Sequence, residues 1–582
     1  MKLIFKYLMR RKRFFFLNLF AILAVASAEL GIPLLISKII DDALPNGNLP
    51  LLYKFGIYLA LVAILGAIGN ILANYASVKT ATSILVDLRN DVFKKIQTFS
   101  PEEMNEFGIS SLITRTTSDV FQILNFVSTF FRTAFMSPIL IAISIVLISR
   151  EAPTLLPSTL ISIPIVVIGI VIVITATKPL SESQQLNLDK LNLVTRENLT
   201  GVRVVRAFRK NKYEAERFEK ANEKYTSTAM KLFRIMTSTE PVFFFFLNVI
   251  ITITLFFAGQ NVTSENPNLT LGNITAFFDY QFLVMFSILT FSMLFILYPR
   301  TIVSSKRIAE ILNTDVKIKN KPNAISYIEK PKGTLEFKNV SFSYPDSEAA
   351  VLKDISFKAK KGETIAFIGS TGSGKSTLIN LVPRLYDATE GEILIDDVNV
   401  TDFDLKYLRN KVGFIPQKAI LFNGTIADNI RYGKHDATEE EVIEAAKTAQ
   451  AHDFILAKQK GYDDPVSEMG ANLSGGQKQR ISIARALIKK PDVLIFDDSF
   501  SALDFKTDAA LRKSLNEVSK DTITLVVAQR ITSIVHADTI IVLNNGEIVC
   551  RGTHSELMTS CKIYQEIAAS QLSEEELQWE NY

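Results

Sequence analysis

Residues 369–377 read GSTGSGKST, with Gly369, Lys375 and Ser376 at the spacing of a turn that wraps phosphate. Gly369, Gly372 and Gly374 allow backbone N–H groups to close around phosphate oxygens at the start of a helix. Ser370, Thr371, Ser373 and Thr377 complete the loop. Lys375 brings a point charge to the outer phosphates, and Ser376 offers a hydroxyl to Mg²⁺. A second acidic element follows at 493–498, VLIFDD: an apolar run ending in Asp497, placed to hold the metal side of a nucleotide triphosphate, and then Asp498. A third is NLSGGQKQRISIARAL, 472–487, in which Ser474, Gly475, Gly476 and Gln477 open a helix. That helix start is another anion-binding surface, and it cannot serve the same phosphate loop. One chain with two half-sites implies a partner that completes each.

These residues need a strand–loop–helix frame. IAFIG, 365–369, is a buried-strand signal running directly into the phosphate loop. A Lys/Pro/Asn-rich connector, NTDVKIKNKPNA, precedes GTLEFKNVSFSYPD, where the pattern changes to strands. The expected division is a membrane domain over 1–312, a linker over 313–334, a nucleotide-binding α/β domain over 335–570 and an acidic tail over 571–582 that carries no functional signal.

The membrane assignment rests on six apolar stretches, at about 14–40, 52–75, 127–149, 156–177, 241–260 and 274–298. Each reaches the roughly 20 residues needed to cross ~30 Å of hydrocarbon. Mean hydropathy is positive, +0.21, and 40 residues are Phe, which is too apolar for an ordinary soluble protein of 582 residues. PVFFFFLNVIITITLFFA, 241–258, has no polar face and so does not read as a surface helix. Lys2, Lys6, Arg10, Arg11, Lys12 and Arg13 precede the first stretch without an acid among them, which predicts a cytoplasmic N-terminus and an uncleaved first span. The polar stretches 76–126 and 178–240 are rich in helix formers, and they are expected to carry the membrane helices on into the cytoplasm. Glu29, Arg132 and Asp279 lie inside spans; each is one half of a structural ion pair, a group near the interface or a functional group, and Asp279 is the preferred substrate contact. The net charge of +4 is small and not gathered into a stripe, which argues against nucleic acid. Cys550 and Cys561 are expected to be free thiols. Asn261 and Asn268 stand in N-x-T triplets, as does Asn423 in the second half, so the triplets carry no information.

Taken together, the motifs resemble those of ATP-binding-cassette exporters, in the half-transporter form: six spans of the type I exporter fold fused to one P-loop nucleotide-binding domain. The resemblance covers nearly the whole chain. It implies ATP and Mg²⁺ as ligands, with Ser376, Gln417 and Asp497 around the metal and Tyr344 of FSYPD stacked on adenine. It implies that Ser474, Gly475, Gly476 and Gln477 clamp ATP held by the opposite subunit, beside a D-loop of Ser501, Ala502, Leu503 and Asp504. The stretches 107–120 and 195–208 resemble the segments that press on nucleotide domains. A multi-pass protein of the bacterial inner membrane, with its ATP-binding domain cytoplasmic, follows from the same likeness.

Two positions depart from the family pattern. Where a Glu ordinarily follows the strand-ending Asp, this chain has Asp498, and where a His assists, it has Gln529. Asp is one methylene shorter, and withdrawing a catalytic carboxylate by about 1 Å can cost on the order of 100-fold. Gln529 hydrogen-bonds but carries no proton or charge. The resemblance is therefore to the degenerate-site subunit of heterodimeric multidrug exporters, partnered by a second, non-identical half-transporter. In SEMGAN, 467–472, Glu468 survives but Met469 stands where exporters often have Arg. The expected cargo is an amphipathic drug or lipid-like compound. A lipid or glycolipid flippase and a nucleotide-gated channel are the rival readings; the spans show no charged pore lining to favour a channel.

Overall fold

Small residues, prolines and capping side chains decide how the first 313 residues are cut into helices. The computed structural model describes residues 2–263, 269–345, 347 and 349–571; Asn268 and the tail beyond 571 lie outside them. The chain divides into two compact units, one of residues 1–97 and 107–314, the other of 98–106 and 315–582.

The first unit is all helix: α1 (Lys2–Met9), α2 (Lys12–Lys38), α3 (Leu49–Ile96), α4 (Pro101–Phe107, shared with the second unit), α5 (Ile109–Thr114), α6 (Val120–Thr133), α7 (Met136–Glu151), α8 (Leu156–Thr200), α9 (Val202–Ala207), α10 (Asn211–Thr263) and α11 (Leu271–Asn313). Six of its helical segments are long and apolar enough to cross a membrane, and they contain the six stretches expected above. Close approach is bought by small side chains: a Cβ at Gly66 of α3 would lie 2.4 Å from the Cβ of Ala28 of α2. Helix starts use ordinary caps. Asn48 accepts from Leu51 N at the start of α3, and Thr270 accepts from Asn273 N at the start of α11. Asp41 adds to the second cap, accepting from Gly272 N at 2.8 Å.

Helices α3, α8 and α10 do run far beyond their apolar portions. At the tip between α8 and α10, the short helix α9 buries none of its side chains, and Leu199 and Phe208 beside it are 70 % and 72 % exposed. The tip at 195–208 is thus exposed, with Leu199, Val204 and Phe208 open among Arg196, Arg203 and Arg206. The other expected coupling stretch, 107–120, is nearly all helical and leads into the next long span. The residues before it, 98–106, cluster with the second unit instead. There the Glu103 carboxylate accepts from Ser100 N at 2.7 Å and Lys317 N at 2.9 Å. Burial opposes the charge on Glu103, but these N–H donors hold its carboxyl below the usual range.

Among the described residues the second unit holds twelve strands: β1 (Thr334–Phe342), β2 (Leu352–Lys360), β3 (Thr364–Ile368), β4 (Glu390–Ile395), β5 (Val398–Asn399), β6 (Val412–Ile415), β7 (Gly424–Thr425), β8 (Pro465–Val466), β9 (Val493–Asp497), β10 (Ile523–Val527), β11 (Thr539–Asn544) and β12 (Glu547–Gly552). An antiparallel sheet runs β2-β1-β4-β5, and a six-stranded sheet runs β12-β11-β3-β10-β9-β6. In the latter only the edge strand β12 is antiparallel. Its inner strands are apolar on both faces, as parallel strands covered by helices must be. Cys550 and Cys561 are not free thiols. β12 and the end of the helix His554–Ser560 bring their Cα atoms to 6.2 Å, and a disulfide joins them. The spacing of two cysteines along the chain says nothing of that fold-back.

One buried polar cluster in the first unit is matched internally. Gln281 of α11 is fully buried, accepts from Thr159 Oγ1 of α8 at 2.6 Å and donates to Ser162 Oγ at 2.7 Å. Gln281→Leu strands the Thr159 hydroxyl and removes the donor to Ser162 Oγ, which keeps its own bond to Thr159 O, and we expect a loss of about 1–2 kcal/mol in the stability of the membrane unit. Thermal unfolding in detergent measures it, and the triple variant with Thr159→Val and Ser162→Ala should regain most of the loss.

Candidate functional site

The parallel strands of the six-stranded sheet end on one edge, and four of the sequence motifs leave from it. β3 runs into the phosphate loop, β9 ends at Asp497, β6 ends two residues before Gln417, and β10 ends two residues before Gln529. Register keeps these ends level, with Val527 opposite both Phe367 and Asp497, and Phe496 opposite Ile415. Open α/β sheets bind their ligands at such an edge, beyond the carboxyl ends of the strands.

The phosphate loop is tightly seated. Gly369 has φ +155°, and a Cβ there would lie 2.1 Å from the carbonyl oxygen of Leu543. No other residue fits. Gly372 and Gly374 also have positive φ, and Ser370, Thr371 and Ser373 make the bend between them. Lys375 starts the following helix, and its ammonium donates to Gly369 O at 2.9 Å, Ser370 O at 2.7 Å and Ser373 Oγ at 3.2 Å. Burial lowers the lysine pKa, while the charges of Asp498 and Asp497 act in the opposite sense. Thr377 Oγ1 lies 3.1 Å from the Tyr344 hydroxyl. The Tyr344 ring meets Phe342 and Tyr386 edge-on, so the aromatic residue proposed for adenine is fixed beside the loop.

The carboxylates come next. Ser376 Oγ donates to Asp497 Oδ1 at 2.8 Å. These two oxygens, with the side-chain amide of Gln417, form a hard donor set that fits Mg²⁺, which takes one or two protein ligands and fills its octahedron with phosphate and water. Among the described residues no cluster of three or more His, Cys, Asp or Glu could hold a metal alone, and an ion carried by phosphate needs none. Burial raises the pKa of Asp497, against the hydrogen bond from Ser376.

Asp498 sits with φ 47°, and its N–H donates to Val527 O at 2.9 Å, which ties its backbone to β10. Its Oδ2 accepts from Gln417 Nε2 at 3.1 Å. Burial raises this carboxyl too, opposed by the Gln417 amide and the backbone N–H of Gln529. The Gln529 residue is exposed, and its carbonyl accepts from Gln571 Nε2 at 2.7 Å. Ser499, which sequence reasoning passed over, and Ser501 of the expected D-loop also brace the site. Ser499 Oγ donates to Ile415 O at 3.0 Å, and Ser501 Oγ donates to Asp498 O at 2.8 Å. A lone Ser carries no signal of such a role in sequence.

The signature segment is built as a separate anion site. Ser474 caps the 13-residue helix Gly475–Leu487 through a reciprocal pair: Gln477 N donates to Ser474 Oγ, and Ser474 N donates to Gln477 Oε1. Ser474 and Gly475 are exposed, and none of the hydrogen bonds these residues make reaches the phosphate loop. A Cβ on Gly476 would lie 3.2 Å from Ala502 O, so the segment Ser501–Asp504 passes beside the start of this helix. Leu503 there is buried, and Asp504 caps the next helix by accepting from Thr507 N. Met469, in the SEMGAN stretch, has φ 51° and is 66 % exposed.

In the membrane unit Glu29, Arg132 and Asp279 are all exposed, and none makes an ion pair or hydrogen bond to a described residue. Asp279 shares its face of α11 with Phe282 and Phe286, whose rings stack 5.6 Å apart.

Comparison with known proteins agrees with this geometry. The family profile "ABC transporter transmembrane region" matches residues 15–289, and the profile "ABC transporter" matches 352–501. An ABC transporter ATP-binding protein of uncharacterised role from Bacillus subtilis is 37 % identical over 96 % of each chain. A protein of Staphylococcus aureus, provisionally named a multidrug export ATP-binding/permease protein, is 34 % identical over 95 % of this chain and 97 % of its own. The solved structure of a bacterial Atm1-family ABC exporter with ATP bound superimposes with a TM-score of 0.79 at 25 % identity, covering 97 % of this chain and 99 % of that one.

The raised pKa of Asp497 has a consequence for binding. Mg²⁺ needs the ionised carboxylate, so Mg²⁺-dependent nucleotide affinity should begin to fall, as pH is lowered, above the ~3.9 of an ordinary aspartate. Equilibrium binding of a non-hydrolysable ATP analogue, with Mg²⁺ or with chelator, measures the difference. Asp497→Asn should bind the Mg²⁺ complex weakly at every pH and lose most of the slope.

Proposed function

The chain belongs to the ABC transporter family, as an exporter half-transporter, and on that premise we propose that it is the slow-site subunit of a heterodimer. The observation that carries this reading is the pair Asp498 and Gln529, standing where an acid of longer reach and a histidine ordinarily act. The binding residues around them are complete. Lys375, Ser376, Asp497 and Gln417 surround the phosphate end, and Tyr344 stands beside the loop.

In this reading the chain's own residues hold ATP and turn it over slowly. The Asp498 backbone is tied to β10, so the missing methylene is not recovered by a shift of the chain. Its carboxylate is engaged by the Gln417 amide, and Gln529 cannot shuttle a proton. Bound Mg²⁺ would neutralise and orient the phosphates, held by Ser376, Asp497 and Gln417. The intact signature, Ser474 to Gln477, clamps ATP on a second, non-identical half-transporter that supplies the competent acid. Two copies of this chain would make two impaired sites. ATP binding draws the two nucleotide domains together and changes the side to which the membrane cavity opens, and hydrolysis on the partner resets it.

The proposed cargo is an amphipathic drug or lipid-like compound, supported by the multidrug name of the Staphylococcus aureus relative and by Phe282 and Phe286 beside Asp279. The exposed tip at 195–208 is a docking element for a nucleotide domain. Drug-stimulated ATPase with vesicle uptake separates drug export from lipid flipping.

The decisive measurement is ATP turnover in lipid, by the chain alone and with its partner. Alone it should be slow, and Asp498→Glu with Gln529→His should accelerate it by on the order of 100-fold. In the heterodimer Asp498→Ala should change turnover little. Rapid turnover by the unmodified chain alone would overturn the slow-site assignment.

A further inference from the structure

Gln571 opens the stretch that the sequence reads as an acidic tail without functional signal, yet its side chain reaches the segment that follows β10. Its Nε2 donates to the Gln529 carbonyl at 2.7 Å, and its Oε1 accepts from the Ile531 N–H at 2.9 Å. One amide thus holds the backbone on both sides of Arg530, about forty positions earlier in the chain.

The contact falls where the chain has least support of its own. β10 ends at Val527 and a short 3-10 turn begins at Ile531, so residues 528–530 lie outside regular structure. Ala528 and Ile531 are buried, while Gln529 and Arg530 between them are exposed. Ala528 N donates to Phe367 O of β3, and Ser533 N donates to Arg530 O. The Gln529 carbonyl and the Ile531 N–H need partners from elsewhere, and Gln571 supplies both. The peptide between residues 528 and 529 is then held on each side, by Ala528 N and by Gln529 O. Its N–H faces the Asp498 carboxylate.

The element that carries Gln571 is itself anchored. The helix Lys562–Ala569 begins at the Cys550–Cys561 disulfide. Its Tyr564 and Ala568 are buried, and the Tyr564 hydroxyl lies 2.6 Å from His554 Nδ1. Gln571 N extends the last turn by donating to Ala568 O at 3.0 Å.

We propose that Gln571 is a positioning residue of this chain's ATP site: it holds the backbone at 529–531 and so sets where residue 529 stands beside Asp498 and the outer phosphate. This role rests on the placing of residue 529 at the phosphate proposed above, and not on the rate at which the site turns over. Losing the clamp leaves the phosphate loop and the Mg²⁺ donors in place, so it acts on the chemical step and not on nucleotide binding.

ATP turnover by the full chain in lipid tests this, with two parent proteins: the unmodified chain, and the chain with Asp498→Glu and Gln529→His. In each parent, Gln571→Leu should lower kcat on the order of tenfold and leave KM and ATP binding unchanged. Gln571→Glu, which cannot donate to the Gln529 carbonyl once ionised, should lower kcat similarly at neutral pH. Hydrogen exchange at the Ile531 amide should accelerate in Gln571→Leu. Tyr564→Phe weakens an anchor of the same helix without touching the clamp. It should lower the melting temperature and leave kcat unchanged, which separates positioning from general stability. An unchanged kcat in Gln571→Leu, a loss carried by KM alone, or an equal loss of kcat in Tyr564→Phe would overturn the assignment. The rates of the two parents judge the slow-site reading, and the ratio of each clamp variant to its parent judges the clamp, so either fails without the other.

Discussion

The central strand β3 is hydrogen-bonded to β11 on one side and β10 on the other, and it delivers the phosphate loop beneath the carbonyl of Leu543. Much else follows from that confinement. The core of this sheet is closed, with Ala366, Phe367, Ile495, Phe496 and Leu525 at most 0 % exposed, so its carboxyl edge has little room to shift. Side chains that project from the edge are positioned by backbone that cannot follow them. In a floppier frame a shorter acid would be rescued by a small movement of its loop. Here Asp498 is anchored through its own N–H to β10, so a change of acid length at this position is not absorbed by the backbone.

The same chain carries a second anion site that its own phosphate loop does not use. The capped helix start at Ser474 is finished locally, with its reciprocal bond to Gln477 formed and its first residues open to solvent. This helix start is complete in itself and unengaged by the phosphate loop of its own chain. The stretch 195–208 is also open at its tip, where α9 buries none of its side chains.

Polar groups in the membrane unit are handled in two distinct ways, each with its own energetic logic. Gln281 is enclosed and fully matched by Thr159 and Ser162, so it ties α8 to α11. Asp279 stays open on a face with Phe282 and Phe286, and no described residue satisfies it.

Much was determined by sequence alone, because some constraints are local. Six apolar runs specify six spans through length and hydropathy; GSTGSGKST specifies a phosphate turn through backbone sterics; NLSGGQ specifies a capped helix through its own reciprocal bonds. The substitutions at 498 and 529 were equally legible, since they are changes of residue type at set offsets from such motifs. Where contact required distant segments to meet, sequence was silent or misled. Cys550 and Cys561 join only because β12 and the helix after it fold back. Residues 98–106 belong with the nucleotide-binding unit because Glu103 finds the backbone of Lys317, more than two hundred positions away. The Gln281 clasp likewise depends on which helix faces which. Periodicity names the face of a helix, but only packing chooses what that face meets.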